Sequence, residues 1–62
     1  MQIEKEIKDQ VKDQKLLQLK IQYATLEMDK VALESVGDTD GAKQIEERMN
    51  NIRKAYEAID AL

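Results

Sequence analysis

From Gln2 to Val36 the chain contains neither proline nor glycine. Within this stretch the apolar residues of Leu16 to Leu33 fall on two lines at helical spacing, on nearly opposite sides of one helix. One line is Leu17, Ile21, Ala24, Met28 and Val31; the other is Leu16, Leu19, Tyr23, Leu26 and Leu33. Both advance by three and four residues, as a heptad seam does. A helix with a single apolar stripe needs one neighbour, whereas a helix with two opposed stripes needs two. A chain of 62 residues has room for one further helix, so the second neighbour is expected to be another copy or a different protein.

The residues of 2–36 are mostly Glu, Lys, Gln, Leu, Met and Ala, which lose little rotamer freedom in a helix. They predict one long helix over 2–36, which would reach roughly 50 Å at 1.5 Å per residue. The long line extends toward the N-terminus through Ile7 and Ile3, with Val11 beside it, and is interrupted by Gln10 and Gln14. Polar residues in a seam weaken it while fixing its register. Punctuation is confined to Gly37-Asp38-Thr39-Asp40-Gly41, which predicts a turn over 37–41. Gly37 suits the left-handed position that ends a helix, and Asp38 or Thr39 suits the cap of the next. From there to Leu62 a single seam of Ile45, Met49, Ile52, Tyr56, Ile59 and Leu62 predicts a second helix over 39–62. Ala42 extends that seam toward the turn, and Ala55, Ala58 and Leu62 form a narrow secondary strip near the end.

The fold class expected is all-α: an antiparallel two-helix hairpin with a long first helix, forming one domain over 1–62. Association through a coiled-coil-like seam would give a dimer or a four-helix bundle. Folding back at the turn pairs residues whose numbers add to about 76, because both helices rise equally per residue. The second helix then covers only the later part of the first. Leu16, Leu19, Tyr23, Leu26 and Leu33 are confined to the covered part, so they are assigned to the intramolecular core with Ile45, Met49, Ile52, Tyr56 and Ile59. Ile3, Ile7, Val11, Leu17, Ile21, Ala24, Met28 and Val31 continue into the uncovered part and are assigned to an oligomer interface. The reverse assignment also pairs sensibly, with Ile45 on Val31, Met49 on Met28, Ile52 on Ala24 and Tyr56 on Ile21. A domain this small buries only about 60% of the surface its unfolded chain exposes, and with no Cys and no His neither disulfides nor a soft metal site can supplement it. Oligomerisation is the remaining common source of stability.

Composition narrows the function classes. Ten Lys and Arg against thirteen Asp and Glu give a formal charge of −3, so no overall basic field invites nucleic acid. Lys5, Lys8, Lys12 and Lys15 do line one ridge, and an alternative function is association with nucleic acid through it. Asp9 and Asp13 sit beside that ridge and no aromatic residue interleaves it. No stretch approaches the ~20 apolar residues that span a bilayer, and the charged opening Met1-Gln2-Ile3-Glu4-Lys5-Glu6 does not read as a secretory signal. A cytoplasmic location without membrane contact is expected.

Three local likenesses carry chemistry of their own. Asp38, Asp40, Gly41 and Glu47 match part of an EF-hand loop in spacing, but Val36 stands at the first ligand position and Lys43 at the central apolar one. Gly37-Asp38 followed by Ala42 resembles the inter-helix turn of a tetratricopeptide repeat, over the turn alone. Glu46-Glu47 with Glu57-x-x-Asp60 resembles the acidic pairs of all-helical nucleotide pyrophosphohydrolases. That resemblance implies magnesium-binding carboxylates and a metal-dependent nucleotide hydrolase as a further alternative. No nucleophile motif is present, and Glu and Asp are also what a solvated helix face carries. The leading expectation is a non-enzymatic, cofactor-free interaction or assembly protein (adaptor, regulator or structural subunit) that recognises helix faces and forms a homo-oligomer, foremost a dimer, or binds a helical partner. Compact helical chains of this kind are common among phage and bacterial accessory proteins, an analogy of architecture alone.

Overall fold

A computed structural model of the chain describes residues 2–62, with side chains from residue 4 onward. Two α-helices, α1 (Gln2–Ser35) and α2 (Thr39–Asp60), pack antiparallel as a hairpin. Its extents are 53 × 15 × 9 Å, and the 34 residues of α1 account for nearly the whole long dimension. The radius of gyration is 15.3 Å, against about 10.6 Å for a compact domain of this length.

The link between the helices is built from backbone geometry. Gly37 has φ of 79°, the one positive φ among the described residues, so the chain reverses there without the Cβ clash another residue would meet. The N–H of Asp38 donates to Leu33 O at 2.9 Å and that of Gly37 to Glu34 O at 3.1 Å, the paired bonds of a Schellman ending. Val36 falls outside α1, one residue short of the helix expected over 2–36, because its N–H has moved to the i−3 carbonyl of Leu33 at 3.2 Å. Asp38 caps α2: its Oδ1 accepts from the N–H of Gly41 at 2.9 Å, and its carbonyl accepts the first helical bond from Ala42. Gly41 therefore lies within the first turn of α2, where the turn expected over 37–41 and the helix expected from residue 39 overlap.

At the other end α2 stops at Asp60, short of the Leu62 expected. The N–H of Leu62 donates to Ile59 O at 3.1 Å, so the last turn tightens to i−3 bonding after Ala61. Leu62 is 81% exposed and contributes nothing to the apolar seam it would have continued.

The core is a single line of contact between two cylinders. Leu19, Ala42 and Met49 are buried, with Leu19 only 5% exposed. Around them Leu16, Tyr23, Leu26 and Leu33 of α1 and Ile45, Ile52, Ala55, Tyr56 and Ile59 of α2 are half-buried. No side chain among the described residues is fully enclosed, since a helix with one neighbour leaves the flanks of its contact stripe in water. The register is fixed by cross-helix contacts: Lys30 Nζ lies 3.7 Å from Glu46 Oε2, Arg53 Nη2 donates to Tyr23 Oη at 2.9 Å, and Lys20 Nζ lies 5.7 Å from the centre of the Tyr56 ring. Near the end of the overlap Lys12 Nζ donates to Leu62 O at 3.2 Å. Residues 4–11 of α1 extend beyond α2 and are exposed.

Candidate interaction face

The most distinctive surface lies along α1. Ile7, Val11, Leu17, Ile21, Met28 and Val31 are between 55% and 73% exposed, and Ala24 is exposed among them. Ile3, assigned by its position to the same row, lies outside the residues whose side chains are described. At 100° per residue the part of this row from Leu17 to Val31 is centred about 150° around α1 from the line that meets α2. The row thus occupies the back of α1. Thr25, beside it, donates its hydroxyl to Ile21 O at 2.9 Å, which satisfies that polar group within the helix. Val36 adds an exposed apolar side chain next to the turn, at 77%.

The accessible surface totals 5161 Å², whereas a compact monomer of 7.2 kDa would expose about 4,100 Å². The surplus of roughly 1,000 Å² follows from the extended shape of a hairpin 53 Å long and 9 Å thick.

On the side of the hairpin a shallow groove of about 500 Å³ runs between the helices, with Leu19, Tyr23, Ile52 and Tyr56 among its lining residues. Each tyrosine is covered by a cation from the opposite helix: Arg53 lies 5.8 Å from the Tyr23 ring centre, and Lys20 stands over Tyr56. The hydrogen bond from Arg53 to the Tyr23 hydroxyl, followed by the charge interaction with that group, raises the guanidinium above its ordinary pKa. The groove floor is thereby occupied by the hairpin's own cation and aromatic contacts.

Lys5, Lys8, Lys12 and Lys15 gather about a second concavity, together with Asp9, Val11, Ile59 and Leu62. Asp9 interrupts the positive charge, and Lys12 spends a donor on Leu62 O. Of the acidic residues singled out, Glu46 pairs with Lys30 across the helices. Among the described residues no three Asp or Glu side chains converge in a way that could hold a metal ion, so Glu46, Glu47, Glu57 and Asp60 do not form a cluster. Asp38, which shares EF-hand spacing with Asp40 and Glu47, is engaged as the helix cap. No helix among the described residues is long and apolar enough to cross a membrane.

Two further members of the cross-helix line are lysines. Lys12 and Lys30 are both half-buried on the α2-facing side of α1, at positions that continue the spacing of Leu16, Leu19, Tyr23, Leu26 and Leu33. Their helical phase alone would have found them, since a lysine stem can cover apolar surface while its ammonium reaches out. Comparison with protein-family models, with curated proteins and with solved structures returns no match.

Proposed function

We propose that this chain is a self-associating helical hairpin that works by helix-face recognition, as an assembly subunit, adaptor or regulator, with a homodimer as its basic unit. The observation that carries the reading is the row of Ile7, Leu17, Ile21, Ala24, Met28 and Val31, left in water on the side of α1 remote from α2, with the exposed Val11 on its flank. Burying a large apolar side chain is worth about 1.5 to 3 kcal/mol, so covering this row offsets a large part of the entropy lost on ordering such a chain. The hairpin alone encloses too little to make that unnecessary, as its most buried side chain is Leu19 at 5% exposure. Scattered exposed apolar residues are ordinary on monomers, but a contiguous row is the pattern of a docking surface.

The two faces make different demands and are separated by substitution. Ile21→Asp places a charge in the outer row and is expected to leave helical circular dichroism largely intact while reducing the mass seen by size-exclusion chromatography with light scattering. Leu26→Asp places one against α2 and is expected to unfold the hairpin. If Ile21→Asp leaves the mass unchanged, the outer row is not the association face.

A further inference from the structure

We infer that the step where α1 runs on past the end of α2 is a docking site for an acidic amphipathic helix of another protein. That helix lies in line with α2, sets its carboxylates against Lys5, Lys8, Lys12 and Lys15, and rests an apolar side chain on Val11, Ile59 and Leu62. The inference stands apart from the self-association proposed above, since the step is on the α2-facing side of α1 and the outer row is behind it.

Unequal helices make the step. α1 has 34 residues and α2 has 22, so α2 stops at Asp60 while α1 continues for about two more turns, over residues 4–11. A concavity of about 550 Å³ lies beyond the last turn of α2, and four lysines of α1 line it. At 100° per residue their mean direction falls within about 10° of the line formed by Leu16, Leu19, Tyr23, Leu26 and Leu33. The face that α2 covers with apolar contacts therefore continues, uncovered, as a cationic one. A helix laid there takes the place that a longer α2 would take.

One lysine of the same line shows how such a face is met. Lys30 is half-buried opposite α2, and its ammonium lies 3.7 Å from Glu46 Oε2 of the neighbouring helix. That is the one ion pair among the described residues, so no carboxylate holds Lys5, Lys8 or Lys15. Lys12 reaches only the carbonyl of Leu62, at 3.2 Å. Carboxylates at helical spacing on an incoming helix supply to these lysines what Glu46 supplies to Lys30. Surface ion pairs contribute little singly, so the apolar part of the lining belongs to the site. Val11 is 57% exposed and Leu62 81%, and Ile59 is half-buried where the α2 seam stops.

Other occupants fit less well. Nucleic acid would meet Asp9 inside the lining and would find there neither an arginine nor an aromatic ring to stack on. The overhang of a second copy would bring lysine against lysine. The remaining carboxylates of the overhang, Glu4, Glu6 and Asp13, stand on its flanks by helical phase. Because the chain carries −3 overall, its long-range field repels an acidic ligand, and binding of one reports a local site.

The test titrates the full chain into a fluorescein-labelled synthetic helix with Glu at every third or fourth position along one face and Leu beside it, followed by anisotropy. Saturable binding that weakens as salt is raised is expected. Lys8→Glu/Lys15→Glu should weaken it roughly tenfold with helical circular dichroism unchanged, since both side chains are exposed. Lys43→Glu/Lys54→Glu makes the same change in net charge on exposed residues of α2 and should leave binding nearly unchanged. Should the first variant lose helicity, Lys8→Gln/Lys15→Gln reads the same contact without introducing a charge. No binding at low salt, or equal losses in the two Glu variants, would overturn the inference. Ile21→Asp should bind as the parent does; lost binding there would place the peptide on the outer row and overturn the inference while leaving that row a docking face. Tighter binding of a labelled oligonucleotide, or of phosphatidylcholine vesicles containing phosphatidylserine, through the same lysines would overturn it in favour of that occupant.

Discussion

Gly37 and Gly41 are both glycines for reasons that can be separated experimentally. At Gly37 an added Cβ would meet nothing within 4 Å, so the need is purely for the backbone at φ of 79°. Gly37→Ala is expected to cost about 1 kcal/mol in urea unfolding, and Gly37→Asn less, because Asn tolerates the left-handed region. At Gly41 the backbone is helical, but a Cβ would lie 2.6 Å from Asp38 Oδ2, so the small residue makes room for the capping carboxylate. Asp38→Ala should cost about 1 kcal/mol. Gly41→Ala alone is expected to be nearly neutral, since the gain in helix preference, up to about 1 kcal/mol, is set against displacement of the cap. In the Asp38→Ala background the same change should become stabilising, and equal effects in both backgrounds would show that the two residues are not coupled. Arg53 contributes differently. Its pKa is raised by the Tyr23 hydroxyl, so what this contact adds to stability is fully present below the ordinary arginine range and is lost only as pH rises above it. Urea midpoints of the parent and of Tyr23→Phe should therefore move in parallel between roughly pH 6 and 8.

At the scale of elements, α1 is one helix with two apolar faces, one against α2 and one exposed, and the two should respond differently to truncation. Leu19 is buried against α2 and Leu17 is 58% exposed. Leu19→Ala is expected to destabilise the hairpin by about 2 to 3 kcal/mol, whereas Leu17→Ala should leave hairpin stability nearly unchanged and weaken assembly. Measuring both in the Ile21→Asp background separates folding from association. Much of this arrangement was legible in the sequence because helical phase is a strong signal over thirty residues and because Gly37-Asp38 is the sole break. The comparison of helix lengths indicated which line would meet α2, since a contact confined to the covered part of α1 cannot serve the overhang. Less legible were features that phase alone does not weigh. Lys12 and Lys30 sit in the α2-facing line, where a lysine reads as an interruption until its stem is seen lying along the contact. Leu62 continues the α2 seam in spacing, but the backbone has left the α-helix before reaching it. The role of Gly41 in making room for the Asp38 carboxylate is a matter of atomic approach that spacing does not show.

The whole molecule is a rod with one covered and one uncovered apolar side. A radius of gyration of 15.3 Å, well above that of a compact domain of this length, describes an extended two-helix hairpin. The carboxylates of α2 form no cluster and the lysine ridge is broken by Asp9, so the outer row of α1 is the surface that most distinguishes this chain. Sedimentation equilibrium over a micromolar concentration range tests its role most directly. The expected result is a species of twice the 7.2 kDa chain mass that reverts to a helical single chain in Ile21→Asp. A parent protein that sediments as a folded, helical single chain throughout that range would contradict the account.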